Sequence, residues 1–263
     1  MKEKKELVYI FYLFRKEGES LIIHPFASPE KLTYNLENST ILGRYGTEPR
    51  VEALTLLKND FYRTIELFVR NWVFDVRFIP KFLISAAVFL VVYFFLSFVI
   101  RDPLPFVDEI VGSIVAAFVT YFLMGRRDIR SDMASRKRLD LRTAADRICF
   151  QESEFVMTLE KALHENESGD VEKVVQKILE PAENAEMEAS EKEEAKHFVR
   201  AYEVMYKLQN LKRDEKILKR YLAKPEKKDS IQDIKKWAAS KKIDFPLYAV
   251  YRRCKERVAA SKQ

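Results

Sequence analysis

The sequence predicts a membrane protein, mainly α-helical. It expects a two-helix transmembrane hairpin, a small N-terminal α+β cytoplasmic unit and an all-α C-terminal cytoplasmic domain. Three observations carry that expectation. Phe82 to Ile100 and Phe106 to Met124 are matched stretches of 19 residues, the first uncharged and the second charged only near its start. At 1.5 Å per residue a helix of that length reaches about 28 Å, the thickness of a bilayer's hydrocarbon core. Both stretches are apolar on every side, where a helix at the surface of a soluble core keeps a polar stripe. Five residues, Arg101 to Pro105, join them, short enough to turn the chain straight back.

Taken in order, residues 1–50 read as a strand-rich unit. Leu7 to Phe14 is rich in β-formers, Ser20 to His24 follows a Gly18 turn, and Thr40 to Leu42 ends at a Gly43-Arg44-Tyr45-Gly46 turn. Three strands are marginal alone and need a helix as cover. Residues 51–79 supply one, with Leu54, Leu57, Phe61, Ile65, Phe68, Trp72, Val76 and Ile79 forming its apolar stripe. This helix is expected to cover the strands, to lie at the membrane interface, or to divide its halves between the two. Pro80 is expected to end it before the spans, 82–100 and 106–124, of the hairpin at 80–124.

Residues 125–142 form a charged juxtamembrane stalk continuing the second span. Residues 143–263 form the helical domain, with segments at Thr143 to Glu165, Asp170 to Glu180, Glu191 to Ala223, Ser230 to Ser240 and Pro246 to Ala260. Net charge alternates here. Residues 151–200 carry 6 basic and 14 acidic groups and residues 201–263 carry 18 and 8, so the basic tail finds its counterpart in the acidic block, in the same copy or a neighbouring one. Acidic residues interrupt the basic tail and no recognition motif frames it, so nucleic acid is not an expected partner.

Orientation follows from the flanks. Arg63, Arg70, Arg77 and Lys81 precede the first span, and Arg126, Arg127 and Arg130 follow the second. These are the candidate membrane-surface cations, and their bias puts both termini in the cytoplasm, with a bacterial inner membrane as the default. The N-terminal segment has charge on both sides of a short apolar run and no small-residue cleavage site, so it is not read as a signal peptide.

Two groups of residues within the hairpin stand out. Asp108 and Glu109 fall in the first turn of the second span, where the helix dipole favours anions, and Arg101 can pair with either. Gly112, Ala116 and Thr120 recur at a spacing that admits close helix approach, and antiparallel geometry places Gly112 level with Phe94 and Ala116 level with Leu90. The seam is internal to the hairpin or joins copies of the chain.

No phosphate-binding glycine loop, zinc-helix motif or nucleophile elbow is present. Cys149 and Cys254 stand alone, and His24, His164 and His197 make no set with ligand spacing. No cofactor or metal is expected. The expected function is a non-enzymatic scaffold, assembly factor or subunit of a larger complex, with membrane lipid and other proteins, or further copies of itself, as partners. The rivals are an oligomeric transport or channel component and an interfacial enzyme acting on lipid.

Overall fold

The computed structural model describes residues 6–15, 18–99, 107–168, 174, 188–206, 236 and 244–260. The chain is mostly helical with one small sheet, and it divides into two compact units. Met1–Lys58 and Arg147–Gln263 make the first, and Asn59–Asp146 the second. The expected turn with Arg101, the helices at 170–180 and 230–240, and most of the basic tail lie outside the described residues.

The first unit is built on β1 (Glu6–Phe14). Its apolar run has little alternation because both faces are buried. Tyr9, Phe11 and Leu13 enter the main core, while Val8, Ile10 and Tyr12, on the opposite face, are buried as well. An antiparallel partner, β2 (Ser20–Ile23), follows a turn in which Gly18 takes φ 82°, a backbone state that glycine adopts without strain. A short helix, α1 (Pro29–Asn38), then carries the chain back to β3 (Ser39–Tyr45), which lies parallel to β1. The Ser28 hydroxyl caps α1 by accepting from the Lys31 N–H at 3.4 Å, and Pro29 opens the first turn where its missing N–H costs nothing.

The turn expected at Gly43 to Gly46 comes later: Gly43 to Tyr45 is strand, and the bend falls at Gly46 and Thr47. Both glycines admit a close neighbour. A Cβ on Gly43 would overlap the Phe150 ring, and one on Gly46 would come within 2.8 Å of the Met157 backbone.

That Phe150 belongs to β4 (Cys149–Glu152), a fourth strand parallel to β3, giving the order β2-β1-β3-β4. The C-terminal region is therefore not all-α, and Thr143 to Glu165 is not one helix. β4 is followed by α5 (Glu154–Ser168), which Ser153 starts by accepting from the Val156 N–H at 3.4 Å. Two further helices, α6 (Ala189–Met205) and α7 (Phe245–Ala260), pack with α5 on one another and on the sheet's main core face. Tyr202 and Tyr251 stack there with ring centroids 4.4 Å apart.

The second unit is dominated by a helix that begins in the first. α2 runs unbroken from Val51 to Val99 with Pro80 inside it, so Pro80 does not end the helix as expected. Proline removes one backbone hydrogen bond and crowds the preceding turn, a local cost that continuous helix on both sides outweighs here. Its buried row is Ala53, Leu57, Phe61, Ile65, Val69 and Val73, at steps of four, whereas Val76 and Ile79 of the expected stripe are exposed.

α3 (Val107–Ile129) returns antiparallel to the second half of α2, and α4 (Asp132–Asp146) follows as a separate helix. The charged stretch does not continue the second span as one stalk. The chain turns at Arg130 and Ser131, where the Ser131 hydroxyl accepts from the Ala134 N–H at 3.4 Å. α4 then runs beside the first half of α2, tied by Arg138–Glu66 at 2.6 Å, by Lys137 over the Trp72 ring at 5.5 Å and by a Tyr62–Asp146 hydrogen bond.

Candidate functional site

Polarity is inverted where α2 and α3 run together. Between residues 74 and 129, the only buried side chains among the described residues are Lys81, Ser85, Glu109 and Ser113, all polar. The outer surface carries Phe82, Phe94, Phe95, Phe98, Phe118 and Phe122, each about half exposed or more. Both helices are long and apolar enough to cross a membrane, and only 6% of the most apolar stretch of α2 and 11% of that of α3 is buried. In water such an arrangement would leave its apolar area unrewarded and its polar groups desolvated.

Lys81 is the centre of a cluster at the Arg126 end of the pair. It is 2% exposed, with its Nζ 4.7 Å from the Phe74 ring centroid, 5.5 Å from that of Tyr121 and 3.9 Å from Asp128 Oδ2. Lys81 therefore leaves the set of surface cations to which the sequence assigned it. Burying an ammonium costs several kcal/mol; one carboxylate and two ring faces offset part of that. Phe74 and Lys81 are seven residues apart on α2, as are Tyr121 and Asp128 on α3. That two-turn spacing keeps each pair on one helix face, and it is the sequence signal that could have revealed the cluster.

Beside it opens a cleft of about 500 Å³ whose lining includes Arg70, Asn71, Phe74, Lys81, Tyr121 and Arg126. Arg63, Arg70, Arg77, Arg126, Arg127 and Arg130 are all exposed. Of these, only Arg70 and Arg126 line the cleft, and the Arg126 guanidinium lies 4.5 Å from the Phe122 ring centroid.

At the far end of the pair Asp108 is exposed and Glu109 is 3% exposed, so the two expected interfacial carboxylates part company. Arg101 is outside the described residues. Ser113 donates to the Glu109 carbonyl at 2.6 Å and Thr120 to the Ala116 carbonyl at 2.8 Å, which satisfies both hydroxyls within α3. Gly112, Ala116 and Thr120 are half-buried, but the residue facing Gly112 is Leu96, whose Cδ1 would stand 3.0 Å from a Cβ there. Leu90 and Phe94, expected in the seam, are instead turned outward and exposed. The pairing sits two residues further along α2 than equal spans about a symmetric turn would give.

In the first unit the polar clusters join elements. Arg44 pairs with Glu194 at 3.0 Å, donates to Gln151 at 2.9 Å and lies over the Tyr9 ring, while Ser153 donates to Glu194. Glu160, 4% exposed, accepts from the Phe14 N–H at 2.9 Å and the Thr47 hydroxyl at 2.7 Å. A small cavity of about 220 Å³ is bordered by Tyr9, Lys31, His197 and Arg200. Burial pushes the His197 imidazole below its ordinary pKa, with Glu193 opposing and Arg200 adding to the shift. Among the described residues no three His, Cys, Asp or Glu side chains are arranged to hold a metal ion.

No family model, no curated protein and no solved structure matches this chain.

Proposed function

We propose that the chain is a membrane-anchored, non-enzymatic scaffold, assembly factor or complex subunit. The α2–α3 pair crosses the bilayer as a hairpin, and the sheet-and-helix unit binds partner proteins on the cytoplasmic side. The observation that carries this reading is the inverted polarity of the pair, apolar outside and polar within, which suits hydrocarbon as solvent. The pairing of β3 with β4 supports the topology independently of charge. These strands flank the hairpin in sequence yet hydrogen-bond to one another, so both must lie on the same side, as an even number of crossings requires. The cations before and after the pair favour the cytoplasmic side for them.

Crosslinking mass spectrometry on native membranes tests the partner reading, with stoichiometric crosslinks from α5, α6 or α7 to other proteins or to a second copy as the expected result. A chain that stays monomeric and dispersed in buffer without detergent would overturn the anchor. A stable monomer in mild detergent that retains no neighbour would overturn the scaffold.

A second reading, an oligomeric transport component, draws on one observation: Glu109, Ser113, Ser85 and Lys81 put polar groups inside the apolar pair. Ion flux in liposomes that disappears in Asp108→Asn/Glu109→Gln supports it, and absent flux from an intact oligomer removes it.

A further inference from the structure

The cleft beside Lys81 has features that an anchor alone does not require. Its lining brings together the exposed Arg70 and Arg126, the amide of Asn71 and the buried Lys81, the last already facing Asp128 at 3.9 Å, with no acidic residue among the lining groups themselves. The Arg70 and Asn71 side chains are exposed and make no hydrogen bond or ion pair among the described residues, so their donors are available. Its walls are Val73, Phe74, Tyr121, Phe122 and Ile129, and Phe74 and Phe122 are each about half exposed. They continue into the apolar outer face of Phe78 and Phe82 on α2 and Leu123 on α3. A volume of about 500 Å³ lies within the range of small-molecule sites.

Arginines with exposed donors beside an apolar wall that leads onto a longer apolar surface describe one kind of ligand, an anion with a hydrocarbon tail. We propose that this cleft holds the phosphate headgroup of one anionic glycerophospholipid. Arg70 and Arg126 donate to the phosphate oxygens from either side, Lys81 contributes its charge from below, and the acyl chains leave along Phe78 and Phe82. Basic pockets at the cytoplasmic ends of membrane helices suit this chemistry. The inference rests on the bilayer reading of the α2–α3 pair.

The experiment uses the full chain in mild detergent, with bound lipid counted by native mass spectrometry after titration with phosphatidylglycerol or phosphatidylcholine. Retention of one phosphatidylglycerol per chain is expected, with at least fivefold weaker retention of phosphatidylcholine. Arg70→Gln/Arg126→Gln should abolish that preference. Arg127→Gln/Arg130→Gln removes the same charge from exposed positions outside the cleft and should preserve it. An equal loss in both double variants would show diffuse attraction and overturn the site, as would a wild-type chain without preference.

Glycerol phosphate supplies the same anion without a tail. Displacement of the lipid by glycerol phosphate at comparable concentration would make the ligand a soluble phosphate ester and overturn the lipid assignment. Flotation with pure phosphatidylcholine vesicles separates the two readings: a chain that does not float refutes the anchor and the lipid with it, while one that floats without headgroup preference refutes the cleft alone.

Discussion

Glu66 accepts from both Nε and Nη2 of Arg138, at 2.6 and 2.9 Å, across 72 positions of sequence. This two-pronged pair holds α4 along the first half of α2, and Arg142 approaches the same carboxylate at 3.8 Å. Planar bidentate geometry makes such pairs stronger than single contacts, while partial exposure on both sides limits the gain.

Glu66→Gln should therefore cost about 1 kcal/mol and loosen α4 without unfolding the apolar pair. Amide exchange across Asp132–Asp146 is the measurement, with faster exchange there and unchanged exchange in α3 as the expected outcome. Uniform rates in the two proteins would show that the buried Ala134, Leu141 and Ala145 hold α4 unaided.

Gly43→Val should destabilise the sheet by about 1–3 kcal/mol, the usual cost of overfilling a packed site. Phe150 occupies the space that the new side chain would need. Combining it with Phe150→Ala should recover most of the loss, and denaturant unfolding of the four proteins in the cycle measures the coupling. Additive losses would place the strain elsewhere.

Gly112→Leu should force α2 and α3 apart at Leu96, again at a cost of about 1–3 kcal/mol. Leu96→Ala should relieve it and Phe94→Ala should not, because Phe94 faces outward. Thermal unfolding in detergent reads the difference, and rescue by Phe94→Ala instead would contradict the register described above.

The two thiols should differ sharply. Cys149 is exposed, whereas burial pushes the Cys254 thiol up to about 12, so almost no thiolate exists there at neutral pH. Labelling with a maleimide at pH 7 should modify Cys149 within minutes and Cys254 only after denaturation. Equal rates would mean that α7 does not sit in the core.

The apolar helices were readable because two stretches of 19 residues, the first uncharged and the second charged only at Asp108 and Glu109, leave no face for water. Their register was not, since the facing residue depends on how the turn is built, and a shift of two positions replaces Phe94 by Leu96. The buried row of α2 deviates for a related reason. Contacts follow the ridge at steps of four, Ala53 to Val73, which slants across the helix, while a stripe followed at an average of 3.6 residues drifts to Phe68, Trp72 and Val76. α1 carries a helix start at Ser28-Pro29-Glu30, a short signal masked by the β-rich segments on either side. β4 gave no comparable signal. Four residues with mostly exposed side chains become strand because β3 offers a free edge, a property of the partner rather than of the segment. Of the site, the cations were visible and the burial of Lys81 was not, since its rings and its carboxylate come partly from another helix.

The strand order β2-β1-β3-β4 also sets a sequence of events during synthesis. About a hundred residues separate the end of β3 from the start of β4, and at roughly 5–20 residues per second the ribosome needs roughly 5–20 s to make them. Throughout that interval β3 presents an open hydrogen-bonding edge, a template for unwanted pairing with other nascent chains. Closure of the sheet therefore waits until the long apolar helices encoded between its last two strands have been made.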